Sequence, residues 1–308
     1  MTHNKVYWLL LALSFTNVPI KGQDDLMAEL SKTLPKELES VYGTFKGTRL
    51  VNLHTVETLG RRTLEFRIAH RFGDFSGGIN NFGGLDGPAT IQFHFDYGVT
   101  DKLMFGIGRS SYNKMYDAFA KYNWVRQTTD NSIPITLTFL GSINVISDID
   151  PNKVTTGIDR YQSFNNRAAY LAEILIARKF NSKLSLQITP LFIHYNLAPN
   201  FGDQNDIFAF GISGRYKITK RMALTSEYIY RSNKYSPNFD LFHNALSLGL
   251  DMETGGHVFQ VFVTNSAAIN EVAVIPYTES SWTKGQMRLG FNISRVFGSR
   301  KSLKSKTQ

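Results

Sequence analysis

Leu64-Glu65-Phe66-Arg67-Ile68-Ala69-His70-Arg71-Phe72 sets apolar and aromatic residues against charged or small ones at every second position. A period of two marks a β-strand with two unlike faces. The alternation returns in Ile91-Gln92-Phe93-His94-Phe95-Asp96-Tyr97 and again in Met287-Arg288-Leu289-Gly290-Phe291-Asn292-Ile293-Ser294. One face is aliphatic and aromatic; the other is polar and often charged. Twelve such segments follow one another, near 62–72, 89–98, 103–112, 116–128, 133–145, 167–179, 184–196, 207–217, 221–231, 242–251, 256–265 and 283–296. Many reach ten residues, where soluble strands average about five or six. Tilted strands that cross a bilayer need about nine to eleven.

The connections give a second test. They alternate long (73–88, 146–166, 197–206, 232–241, 266–282) and short (99–102, 129–132, 181–183, 218–220, 252–255), with 113–115 short where the pattern asks for long. Short turns on one side and long loops on the other describe an outer-membrane barrel. Val99-Thr100-Asp101-Lys102, Asn181-Ser182-Lys183 and Thr254-Gly255-Gly256 suit hairpin turns. Tyr97, Tyr122, Trp124, Tyr216, Tyr228, Tyr230 and Trp282 gather near segment ends, as interface girdles do. A soluble β-sandwich would also alternate. It would not usually set so many mid-strand charges opposite faces this aromatic. The expected fold is all-β: an antiparallel transmembrane barrel of about 12 strands.

Composition agrees. The 308 residues include 23 Phe and 14 Tyr, only 19% charged residues and no Cys. Disulfides, thiolate metal sites, Cys nucleophiles and a Cys-linked lipid anchor are thereby excluded. After residue 22 no run approaches the roughly 20 apolar residues of a spanning helix, so a multi-helix membrane protein is excluded too. Residues 1–22 pair Lys5 with the apolar run Val6–Leu13 and a small residue, Gly22, and read as a cleaved secretory signal. The net charge of +9 includes Lys5 and Lys21 of that signal and Arg300, Lys301, Lys304 and Lys306 of a basic tail. Nucleic acid is therefore not an expected partner.

The expected organisation is a signal peptide at 1–22, a plug or periplasmic segment at 23–60, a barrel at 61–297 and a tail at 298–308. Within 24–42, Leu26, Met27, Leu30 and Leu34 recur at helical spacing until Pro35. Residues 46–57 could form a thirteenth strand, but that would invert the loop parity. They are placed before the barrel, as a periplasmic or lumen-inserted segment.

Several blocks resemble a known family: Leu64–Gly73, Gly84-Leu85-Asp86-Gly87, Asp96-Tyr97-Gly98-Val99-Thr100-Asp101, Gly106-Ile107-Gly108-Arg109-Ser110-Ser111, Gly255–Gln260, Thr264-Asn265-Ser266 and Gly290–Phe297. From about 45 to 297 the chain resembles an uncharacterised family of bacterial outer-membrane β-barrels, classed as a domain of unknown function. The resemblance implies a barrel in the outer membrane. It brings no activity, substrate or catalytic residues.

Strand parity turns Glu65, Arg67, Arg71, Gln92, His94, Asp96, Glu173, Arg215, Glu227 and Arg288 inward, together with Asp117, Lys121 and Arg231. Such charges can set the selectivity of a channel or form a salt-bridge network that only holds the barrel. The first reading is passive passage or binding of small polar solutes through a charged lumen. The alternative is a plugged scaffold barrel holding a periplasmic partner. A barrel-embedded hydrolase is the third. It would need Ser beside His, and none of the seven His has Ser two residues on. His243 and Ser247, read on one strand face, would stand about 13 Å apart. His94 and Asp96 are two ligand types but do not make a metal site. The glycines at 106–108 and 83–87 open no helix, so they are not a phosphate cradle; close packing is the simpler reading. Neither catalysis, metal nor cofactor is expected. The expected partners are outer-membrane lipid, a small polar solute and a periplasmic protein.

Overall fold

The computed structural model describes residues 39–298. The signal, the helix-like 24–38 and the tail from 299 lie outside the described residues. Twelve antiparallel strands close into a barrel: β1 (Thr63–Asp74), β2 (Thr90–Gly98), β3 (Leu103–Ser110), β4 (Tyr116–Val125), β5 (Thr136–Val145), β6 (Ala168–Lys179), β7 (Leu184–Tyr195), β8 (Asp206–Lys217), β9 (Met222–Arg231), β10 (Ala245–Thr254), β11 (His257–Thr264) and β12 (Arg288–Gly298). Each strand pairs with its sequence neighbours. β1 closes on β12 from Thr63↔Gly298 to Arg71↔Gly290, with a register shift before Asp74↔Arg288. Closure leaves no strand edge unpaired, as a membrane demands.

The alternation sorts the two faces. In β1, Thr63, Glu65, Arg67, Ala69 and Arg71 are buried, while Leu64, Phe66, Ile68, His70 and Phe72 point outward. Around the outside, Phe93, Phe95, Phe105, Ile107, Trp124, Phe139, Leu186, Ile188, Phe208, Ile212, Leu224, Leu248 and Val261 are exposed. An apolar belt this broad has no place in water and fits lipid.

The short links gather at the end where the strands begin and finish (the turn end). Gly255 and Gly256, at φ +48° and +102°, form a two-residue turn between paired Thr254 and His257. Two successive positive φ values are what a tight hairpin turn asks of glycine. The β4–β5 link is longer than the expected 129–132, running from 126 to 135. The incoming chain pairs with it: Ser40 bridges Thr128, and Val41 N donates to Gln127 O at 2.7 Å.

Long links gather at the opposite, loop end and include helices α1 (Pro151–Thr156), α2 (Phe164–Arg167) and α3 (Glu271–Val274). The link at 111–115 stays short, as the sequence suggests, through a 3-10 turn at Tyr112–Lys114. Two positions are corrected. His243 precedes β10, so it shares no strand face with Ser247; its N–H donates to Thr278 O at 2.7 Å. Trp282 lies in a 3-10 turn before β12 rather than on the strand and donates to Leu246 O at 2.9 Å.

Candidate functional site

The interior of the barrel is filled. Residues 44–58 enter from the turn end as a hairpin, with Arg49 bridging His54. Within it Thr55 N donates to Thr48 O at 2.9 Å, and Leu50 N to Leu53 O at 3.0 Å. A lone two-stranded hairpin leaves most backbone groups without partners, and buried backbone groups must find them. The barrel wall supplies them with side chains. Lys121 Nζ donates to the carbonyls of Thr48 and Thr55, both at 3.1 Å. Gln187 donates to His54 O at 2.7 Å and accepts from Val56 N at 2.9 Å. Thr138 donates to Val56 O at 3.1 Å. Thr48 donates to Glu65 at 2.7 Å.

The hairpin tip is held most densely. The Glu227 carboxylate accepts from the backbone N–H groups of Val51 (3.4 Å), Asn52 (3.1 Å) and Leu53 (2.9 Å), and from Asn52 Nδ2 (2.8 Å). Successive N–H groups converging on one anion form a nest. On the other side Arg71 donates to Val51 O and Asn52 Oδ1, both at 3.2 Å, and to Asn292 Oδ1 at 3.0 Å. Its guanidinium lies 4.3 Å from the Phe262 ring centre.

A second cluster joins β2 to β4. His94 Nδ1 lies 2.5 Å from Asp96 Oδ1, and Nε2 lies 2.6 Å from Asp117 Oδ2. A ring that donates from both nitrogens is the imidazolium, so a cation sits between two carboxylates. Asp117 accepts further bonds from Gln92 (3.0 Å) and Asn270 (2.8 Å). The wall strand between, β3, makes room with Gly106 and Gly108. A Cβ at Gly108 would collide with the His94 ring, and one at Gly106 with Asp96 and Phe119. The Gly106-Ile107-Gly108 motif thus serves close packing.

The loop end is closed by the long link between β11 and β12, which folds inward. Its helix α3 is wholly buried. The Tyr195 hydroxyl donates to Val272 O, and the Tyr235 hydroxyl to Pro276 O. Glu271, the first residue of α3, meets Arg49 of the hairpin at 2.6 Å. His54 lies beside this pair, 3.9 Å from Glu271. Burial, then the charges of Arg49 and Lys121, hold its imidazole well below the ordinary histidine range, so it is neutral.

Along β5 to β8 the inner face is mixed, with buried Thr138, Glu173, Gln187, Thr189 and Ser213 set among apolar side chains. Leu140, Leu171, Leu175, Leu191, Ile193 and Ile207 point inward and share one core with Leu50, Leu53 and Val56 of the hairpin and Val272 and Ile275 of the loop. Those inward apolar residues pack on an inserted element rather than on water.

Of the residues the sequence turned inward, Glu65, Arg67, Arg71, Gln92, His94, Asp96, Glu173 and Glu227 are buried in the filled interior. Arg215 and Arg288 are half-buried. Arg288 reaches Ser280 Oγ at 3.0 Å and Asp74 at 3.9 Å at the loop-end rim. Glu173 stands apart: among the described residues neither carboxylate oxygen has a hydrogen-bond partner, and its cross-strand neighbours are Leu140 and Leu191. An unpartnered buried carboxylate costs stability. Glu173→Gln is therefore expected to stabilise the barrel by about 1–2 kcal/mol, read as a higher urea midpoint; a lower midpoint would show that the charge is needed. Sequence reasoning missed Arg49, Asn52, Glu271 and the two tyrosines. The placement of 46–57 as a lumen-inserted segment outside the strand count was the available signal for the first two.

The family described as membrane bound beta barrel domain (DUF5777) matches residues 45–297. Among solved structures, the KdgM porin aligns at 9% identity over 76% of this chain and 99% of its own, with a TM-score of 0.45. The COG4313 outer membrane channel from Pseudomonas putida F1 aligns at 13% identity over 86% and 99%, TM-score 0.42. Outer membrane phospholipase A from Escherichia coli aligns at 10% identity over 75% and 92%, TM-score 0.42. No curated protein matches the chain.

Proposed function

Because the chain belongs to the membrane bound beta barrel domain family (DUF5777), we propose that it is an outer-membrane conduit whose resting state is shut, and that small polar solutes pass once the hairpin is displaced. The signal expected at 1–22 supports that location. It makes the turn end periplasmic and the loop end external. The observation that carries the reading is how the hairpin is held. Its tip and both its arms are bonded to polar wall side chains, chiefly Glu227, Lys121, Arg71 and Gln187. Once the hairpin leaves, those groups can be hydrated, and a continuous polar sector from β9 through β12 and β1 to β4 would line the opening. Lumen charges of this kind set selectivity.

A plugged scaffold is the second reading, favoured by the apolar core shared by the hairpin and β5–β8. Catalysis finds no support at His94, whose two ring nitrogens are both taken by carboxylates.

Conductance in a planar bilayer separates the first two readings. The refolded full-length chain is expected to be mostly silent. A variant with residues 44–57 replaced by a flexible Gly/Ser linker should show stable steps. Silence in both, with folding shown by heat-modifiable gel migration, would overturn the conduit and leave the scaffold.

A further inference from the structure

Two elements fill the barrel from opposite ends. The hairpin 44–58 comes in from the turn end, and the link 265–287 with α3 folds in from the loop end. Most of their polar anchors go separately to the wall. The hairpin uses Glu227, Lys121 and Gln187. The loop uses Asp117 through Asn270, and Thr90, which donates to Ala267 O at 2.6 Å. Among the described residues, the two elements are joined by polar contact at one carboxylate, Glu271. Its Oε1 lies 2.6 Å from Arg49 Nη1, across 222 residues of chain. The same Arg49 nitrogen donates to Asn52 O at 3.1 Å, so the guanidinium binds the hairpin tip and α3 at once. Both side chains are almost wholly buried, at 3% and 5% exposure. Removing either partner would leave the other as an uncompensated charge away from water.

We infer that the Arg49–Glu271 pair couples the inner and outer closures, so that each stabilises the other in place. Coupling of this kind is reciprocal. Whatever loosens the external loop then loosens the hairpin that leads to the N-terminal side, and withdrawal of the hairpin frees the loop. The barrel has two doors on one latch. The inference deepens the gated reading above and rests on it for its use, but the coupling itself can be measured without ion flow.

The chain has no cysteine, so two substitutions give clean reporters: Val51→Cys at the hairpin tip and Ala273→Cys in α3. Each is refolded in detergent and exposed to a hydrophilic thiol reagent. Glu271→Gln, a change in the loop, should raise the labelling rate of the hairpin reporter by about 5- to 150-fold, the usual range of coupling. Arg49→Gln, a change in the hairpin, should do the same to the loop reporter. The two changes together should add little to either alone, and the exchange of Arg49→Glu with Glu271→Arg should restore part of the slow labelling. Arg49→Lys keeps the charge with a shorter reach and should give the same pattern at lower amplitude if the Gln variants do not refold. Labelling that rises only in the element carrying the change would overturn the coupling. A silent bilayer with coupled labelling would instead sink the conduit and spare the coupling.

Discussion

Glu227→Ala should free the hairpin tip. The carboxylate takes three backbone N–H groups and the Asn52 amide, and alanine leaves all four donors buried without it. Arg71, on the other side of the tip, loses its nearest counter-charge there. Removing one partner of a buried charged network costs about 3–5 kcal/mol. Here the loss falls on local opening rather than on the strands, whose ladders do not involve this side chain. Amide exchange at residues 50–53 should therefore speed up by two to three orders of magnitude or so, since about 1.4 kcal/mol is tenfold. Exchange in the β1–β12 seam should change little. Glu227→Gln, which keeps one acceptor oxygen, should fall between. Unchanged exchange at the tip would mean that the apolar packing of Leu50 and Leu53 holds the hairpin without the carboxylate.

His94→Leu should be among the most destabilising single changes. It removes the cation between Asp96 and Asp117, whose side chains are 0% and 4% exposed. Asp117 keeps its bonds from Gln92 and Asn270; Asp96 loses its bond from the imidazole. Two carboxylates then face each other across an apolar side chain. A loss of about 3–5 kcal/mol follows from the stranded charges. Adding Asp96→Asn and Asp117→Asn should recover most of it, because the cost lies in the charges and not in the missing ring. Urea unfolding followed by gel migration measures both. A triple variant no more stable than His94→Leu alone would show that the imidazole's packing against Phe119, at 5.4 Å between ring centres, matters more than its charge.

The strands were legible because their outer faces meet lipid. Phe93, Phe95 and Tyr97 must all point outward, and that obligation writes a period of two into the chain. The inner face carries no such uniform demand. Glu227 could be turned inward from its parity, but nothing local says that it receives backbone amides from a segment about 175 residues earlier. Likewise the inward leucines of β5–β8 weaken the alternation because their solvent is another piece of the same chain. Residues 46–57 are long enough for a spanning strand but do not alternate cleanly, because as a hairpin within the lumen they meet wall side chains on every side. Glu271 lies in a loop whose length signalled only an external link. His243 read as a strand residue because the apolar run at 241–242 blurred the start of β10.

The hairpin also bears on how the barrel is made. It precedes β1 in the chain, yet its tip is received by β9, and Asn292 of β12 donates to Val51 O across 241 residues. Contacts of such long range are slow to form, since a large loop must close before any reward arrives. A segment that emerges before every strand must therefore wait for the last of them, with Leu50, Leu53 and Val56 unburied in the interval. Sealing of the β1–β12 seam and seating of the hairpin become a late and concerted step. An assembly intermediate stalled before β9 would carry a greasy, unreceived N-terminal arm, and chaperone dependence should be greatest at that stage.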